Sequence, residues 1–268
     1  MFEARKTQRQ LQRTVIVHYH IFKNAGSSVD NILKENFRDH WTSFEGETPT
    51  SVLPPSTLPD FLRERPGISA VSSHLLRPPP VPDPNIIPII FLRDPLDRAY
   101  SVYSHERRSE TTVTSGEIAK RHDFAGYVDW CLNNLREGGL VIANYQVIHL
   151  SPASLRCSHI YDAQPTEQDF NAILKLFSAI PFVGIVEEFE KSIACFGEIC
   201  AGRDIPMQTF PSKINVSPER TGSLSQRRCH LRAVLPVSLM DAFTQANILD
   251  EKLYRWACQK FQVKFAQR

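Results

Sequence analysis

The sequence predicts an α/β fold: a single domain of 268 residues with a central parallel sheet flanked by helices on both faces. Three observations predict it. Apolar, β-branched runs alternate with longer stretches of helical period along the chain. Two of those runs read as strands buried on both faces, as inside a parallel sheet: TVIVHYHI at 14–21, of β-branched and aromatic types, and IIPIIFL at 86–92, almost wholly apolar. Each is followed at once by helix-start signals, so strand leads to helix through a tight turn.

The elements follow in order. The strand at 14–21 feeds a helix over 27–37, where Val29, Ile32, Leu33 and Phe37 form one apolar stripe. Residues 42–59, rich in Thr, Ser, Pro and Glu, read as a surface loop, and 58–65 as a short helix. A strand at 68–73 ends at His74. The connector carrying Pro78, Pro79, Pro80, Pro82 and Pro84 cannot be helical. The strand at 86–92 contains Pro88, expected at its beginning because a central strand would lose a ladder bond there. Asp94 and Pro95 are the N-cap and first residue of the next helix, which buries Leu96, Ala99, Tyr100 and Tyr103. Residues 109–123 read as polar and mobile. Helical period returns at 124–135 and 166–179. A short strand at 182–186 precedes a helix at 187–200. Residues 203–232 read as a long basic loop, and helices at 236–247 and 249–263 close the chain. Residues 1–13 are a basic, polar tail.

Composition narrows the function classes. Net charge is +2, too mild for nucleic acid as the main partner. The six cysteines show no metal-ligand spacing, so the sequence predicts no metal site and free, mostly buried thiols. There is no secretory signal pattern and no apolar run long enough for a transmembrane segment. A cytoplasmic protein is expected, or the soluble domain of a membrane-anchored one.

Two stretches carry chemistry. The first is FKNAGSS, residues 22–28, between the first strand and its helix. A loop there aims backbone N–H groups and the positive end of the helix dipole at one spot, which favours a phosphate-like anion. Lys23 precedes Gly26, unlike the order in triphosphatase loops. The second is RDPLDRAYSVY, residues 93–103. Arg93 ends a strand where open α/β sheets bind ligands, and Ser101 lies two helical turns on. Arg98, one turn from Asp94, is expected to pair with it.

HIFKNAGSSV resembles the 5′-phosphosulfate loop of the sulfotransferases, whose carbohydrate-acting members tend to read HIPKTAGTSL. RDPLDRAYSVY matches their 3′-phosphate motif, RDPxxRxxSxY. SSHLL resembles the family's "GH" segment, NYQVIHL its N-x-Q element, FVGIVEEFEKSI its strand-helix before the last third, and LDEKLYRWACQKF its closing helix. The segments fall in the family's order over roughly residues 14–263. Phe22, Asn24 and Ser73 depart from its usual proline, threonine and glycine.

The resemblance implies a P-loop-like sheet and the donor 3′-phosphoadenosine 5′-phosphosulfate (PAPS), leaving as the 3′,5′-bisphosphate PAP. On it, the backbone of Lys23, Asn24, Ala25, Gly26, Ser27 and Ser28 holds the 5′ end. Lys23 faces the bridging oxygen, and Arg93 and Ser101 grip the 3′-phosphate. The acceptor is a carbohydrate or glycolipid hydroxyl. His74 is the candidate general base, with His20 its rival; His18 and His20 otherwise read as hydrogen-bonded core histidines. Two alternatives remain: a Mg²⁺-dependent P-loop kinase, or a nucleotide-binding protein without catalysis. The arginines of 203–232 read as a solvated basic loop in preference to a lid.

Overall fold

The computed structural model describes residues 13–110, 113–157, 159–209 and 221–266. The first half alternates strand and helix: β1 (Val15–Tyr19), α1 (Gly26–Phe37), β2 (Trp41–Ser43), α2 (Leu58–Arg63), β3 (Ala70–Ser73), β4 (Ile86–Ile89), β5 (Phe91–Leu92) and α3 (Pro95–Arg108). Then come α4 (Thr114–Arg121), α5 (Phe124–Asn133), α6 (Tyr145–Leu150), α7 (Glu167–Ala179), β6 (Gly184–Ile185), α8 (Phe189–Ala201), α9 (Leu224–Val234), α10 (Val237–Ala246) and α11 (Ile248–Ala266). Strands β2-β3-β1-β4 form a four-stranded parallel sheet in that order, and β5 pairs with β6, also in parallel.

The period of two along β1 sorts its side chains onto two faces. Val15, Val17 and Tyr19 enter a core with Leu62 of α2, Val147 of α6, Ile173 of α7 and Leu253 of α11. Ile16 enters a second core with Val29, Ile32 and Leu33 of α1 and Phe196 of α8. Helices therefore cover the sheet on both sides. A third core gathers Leu96, Ala99, Val102 and Tyr103 of α3 against Tyr127 and Val128 of α5 and Phe243 of α10.

Asp94 caps α3 as predicted, accepting from the Asp97 backbone N–H at 2.9 Å, with Pro95 in the first turn. Thr166 and Asp169 close a capping box on α7. All six cysteines are free. Among the described residues no helix is long and apolar enough to cross a membrane.

Several expectations are corrected. Pro88 is the third residue of β4, opposite Val17. It is tolerated because β4 is the last strand of its sheet; β6 is reached only beyond it, where the Gly184 N–H donates to Ile90 O at 2.8 Å. The polar stretch 109–123 contains α4, which docks on α3 through a Ser115 hydroxyl donating to Glu106 at 3.0 Å. The loop read over 203–232 contains α9. Its Ser223–Gln226 capping box marks the start, but its only buried residue is Leu231, so it shows no apolar stripe to read. Residues 42–59 include β2, three residues long and exposed at its end, too short to show a period. The basic tail lies outside the described residues except Arg13, whose guanidinium donates to Leu62 O and Arg65 O.

Candidate functional site

The loop between β1 and α1 is built with two non-glycine residues in the left-handed region, Lys23 at φ 65° and Ala25 at φ 61°. Each costs about 1 kcal/mol or more, a strain found at binding loops. Ala25 is the N-cap of α1 and supplies no side-chain cap. The N–H groups of Gly26 and Ser27, in the first turn, therefore point outward without an intrahelical acceptor. Ser27 is exposed and Ser28 is buried. Gly26 does not have a positive φ. It is glycine because the His20 ring lies against it: a Cβ would stand 1.9 Å from His20 Nε2.

Lys23 is partly buried beside Arg93 and Arg108. Burial first, then those two charges, lowers its ammonium from 10.5 to about 8. Phe22 packs its ring edge-on to His105 of α3 at 5.5 Å and joins the third core, with Lys23 Nζ 5.8 Å from its centroid. An apolar anchor thus holds this end of the loop.

The Asn24 side chain turns inward. Its side chain is buried and its Nδ2 donates to Phe91 O at 2.8 Å and Gln146 Oε1 at 2.7 Å. Gln146 Oε1 also accepts from Arg93 N at 3.0 Å, and its Nε2 donates to Arg93 O at 3.0 Å. Gln146 thus ties the loop after β1 to the loop after β5. Asp250 of α11 holds it in turn, accepting from the Gln146 and Val147 backbone N–H groups. Asn144 Oδ1 accepts from Leu249 N and Asp250 N, both at 3.0 Å. The N-x-Q element and the closing-helix segment are one scaffold.

Arg93 is buried. It donates through Nη1 to Lys23 O at 2.9 Å and through Nη2 to Asp97 at 2.8 Å. Arg93 and Ser101 share a cavity of about 500 Å³ with Asp97, Tyr100, Gly222 and Arg227 among its lining. Arg227 Nε also donates to Asp97, at 2.6 Å. Two guanidiniums on one carboxylate leave that wall net positive. Arg228 pairs with Asp94 at 2.5 Å. These two arginines of the segment read as a solvated basic loop are therefore ion-paired at the end of α3, because α9 lies across it. Arg220 lies outside the described residues. Arg98 does not pair with Asp94: it is buried and donates to Phe22 O at 3.3 Å and to Val141 O.

On the even face of β1, His18 Nδ1 and His20 Nδ1 lie 2.7 and 3.0 Å from the two oxygens of Asp30 on α1. The two rings stack with planes 22° apart. The two Nδ1 atoms meet separate oxygens, the pattern of one carboxylate bridging two imidazoles. Burial lowers His20 to about 4 despite Asp30, and the histidine hydrogen bonds hold Asp30 below the usual carboxylate range. His20 is buried, with its Nδ1 on Asp30 and its ring against Gly26. His74, immediately after β3, has its ring 3.8 Å from that of His20, tilted by 30°, and is about half exposed, with its side chain 48% accessible. Its Nδ1 lies 3.0 Å from Glu45 Oε1. Ser73 accepts from Leu75 N and Leu76 N through its hydroxyl and shapes the turn His74 sits on.

The structure thus brings together Lys23, Gly26, Arg93 and Ser101 as expected, with His74 reached through His20. It adds Asp97, Gln146, Arg227, His105 and Glu45, none legible as site residues by spacing; Gln146 alone had a motif to mark it.

An uncharacterized protein of Archaeoglobus fulgidus is 33% identical to this chain over 192 residues, covering 68% of the chain and 72% of the relative. The chain belongs to the same family as that archaeal protein. No family model matches it.

Proposed function

We propose that the protein is a sulfotransferase that moves a sulfuryl group from 3′-phosphoadenosine 5′-phosphosulfate to a hydroxyl of a carbohydrate or glycolipid, on a P-loop-like sheet. The observation that carries the reading is the junction of two anion-binding elements at adjacent strand ends. The first-turn N–H groups of Gly26 and Ser27 lie beside Lys23, and Lys23 O accepts from Arg93, whose cavity also holds Ser101. A donor with separate 5′ and 3′ phosphates needs two such sites a nucleoside apart. The cavity falls in the range of small-molecule sites, roughly 300–1,000 Å³, and its wall is net positive, so these residues fit the donor.

When bound, the donor supplies an activated sulfuryl group. Gly26, Ser27 and Ser28 would hold its 5′ end. The Lys23 ammonium would neutralise charge developing on the departing oxygen. Arg93, Arg227 and Ser101 would hold the 3′-phosphate by charge-assisted and hydroxyl hydrogen bonds. His74 Nε2, exposed and without a partner among the described residues, would take the acceptor hydroxyl's proton. His20 is the poorer candidate because it is buried, with its Nδ1 on Asp30.

The test is transfer from labelled donor to a glycan panel in the presence of a chelator. Sulfated glycan is the expected product. Transfer that needs Mg²⁺ and ATP would replace this reading by a kinase, and PAP binding without turnover by a binding protein.

A further inference from the structure

We propose that Glu45 is a positioning residue for His74: it fixes the imidazole in the Nδ1–H tautomer and aims Nε2 at the acceptor hydroxyl. The function of His74 rests on the sulfotransferase reading; the tautomer does not.

Sheet register creates the pair. β2 runs parallel to β3 with Trp41 opposite Ala70, Thr42 opposite Val71 and Ser43 opposite Ser72. The Phe44 N–H continues the ladder to Ser72 O at 2.9 Å. Two rows past Ser43, the same offset sets Glu45 beside His74. On the other side of β3, Tyr19 is opposite Ser73, so the next row sets His20 beside His74. Three chain segments that leave the sheet together therefore deliver Glu45, His74 and His20 in one row.

Glu45 grips His74 at two points. Its carboxylate accepts from the His74 backbone N–H at 3.1 and 3.2 Å and contacts Nδ1 at 3.0 Å. An ionised carboxylate only accepts, so the hydrogen of that contact belongs to Nδ1. In the neutral ring the lone pair is then on Nε2. The His20 ring at 3.8 Å blocks one face of the imidazole and limits its rotation. The other charged or titratable groups facing His74 are Arg77, whose Nη1 donates to His74 O at 3.3 Å, and His149, within electrostatic range on α6. Glu45 alone among them is an anion in contact with the ring. This is the arrangement by which a buried or half-buried carboxylate orients a histidine base.

The test combines ¹⁵N-histidine NMR with kinetics on the full chain, the His74 signals being assigned against a His74→Gln sample. In the native protein His74 is expected as the Nδ1–H tautomer, and in Glu45→Gln and Glu45→Ala that preference is lost. Acceptor turnover is expected to fall about tenfold to a hundredfold in Glu45→Gln, with PAP affinity unchanged and the low-pH limb of the rate profile displaced. Glu45→Asp recovers part of the rate, and Glu45→Gln adds nothing to His74→Ala. An Nδ1–H tautomer that survives in Glu45→Ala, or losses that add, would overturn the proposal. If the native protein transfers sulfate to no acceptor, the sulfotransferase reading fails while the NMR result still decides the role of Glu45.

Discussion

Asn24 and Gln146, 122 residues apart in the chain, share a buried hydrogen bond of 2.7 Å. It joins the loop after the first strand to a side chain that also holds both backbone polar groups of Arg93. The two loops are thus fixed relative to each other by one glutamine, and their spacing is a property of that network.

Gln146→Ala leaves the buried Arg93 N–H and C=O without their partner. Unpaired buried groups of this kind cost about 1–3 kcal/mol each, so the unfolding free energy is expected to drop by roughly 2–4 kcal/mol in urea titrations. Asn24→Ala should couple to it in a double-mutant cycle. Strict additivity would show that the bond is not a link between the loops.

Gly26→Ala forces a methyl into the His20 ring, whose movement is limited by Asp30 and by the neighbouring rings of His18 and His74. A cost of about 2 kcal/mol or more is expected from overpacking, together with weaker PAP binding. His20→Ala opens the space, so the double variant should be more stable than Gly26→Ala alone. A Gly26→Ala protein with native stability would contradict the contact.

Removing the guanidinium of Arg93 leaves Asp97 paired with Arg227, so Arg93→Ala should keep its fold. Charge-assisted hydrogen bonds contribute about 1.5–3 kcal/mol, which predicts PAP binding weaker by roughly ten- to a hundredfold in calorimetry. Ser101→Ala should cost several-fold. Unchanged affinity in both would remove this cavity as the 3′-phosphate site.

The lowered Lys23 value of about 8 carries a pH prediction. Burial and the neighbouring arginines favour the neutral amine, so the ammonium is present below that pH and lost above it. The donor kcat/KM, which reports the free enzyme, is expected to fall as pH rises through about 8. Lys23→Arg, always charged, should move that limb upward or abolish it. A flat profile to pH 10 in the native protein would separate Lys23 from catalysis.

Much of this was legible in the residues themselves. The runs at 14–21 and 86–92 are rich in β-branched and apolar residues because helices cover both faces of their sheet, and Asp94-Pro95 marks a helix start by local chemistry alone. Helix α9 was not legible, since a helix that rests on the protein through ion pairs and one leucine has no apolar period. That the Asn24 amide turns inward to Phe91 O and Gln146 was not legible, since a loop sequence does not say which way an amide turns. Phe22 had no account until His105, far along the chain, supplied the surface it packs on.

By itself, then, the sequence determined the strand–helix alternation of its strongly patterned stretches, the placing of Lys23 and Arg93 at strand ends, and the family of chemistry to consider. These depend on local propensity and short-range period. Only the tertiary structure decided that Gln146 joins the two loops, that Arg227 reaches Asp97, and that Glu45 and His20 flank His74. Those pairings follow from sheet register and helix docking, which bring together residues whose separation along the chain carries no signal of their contact.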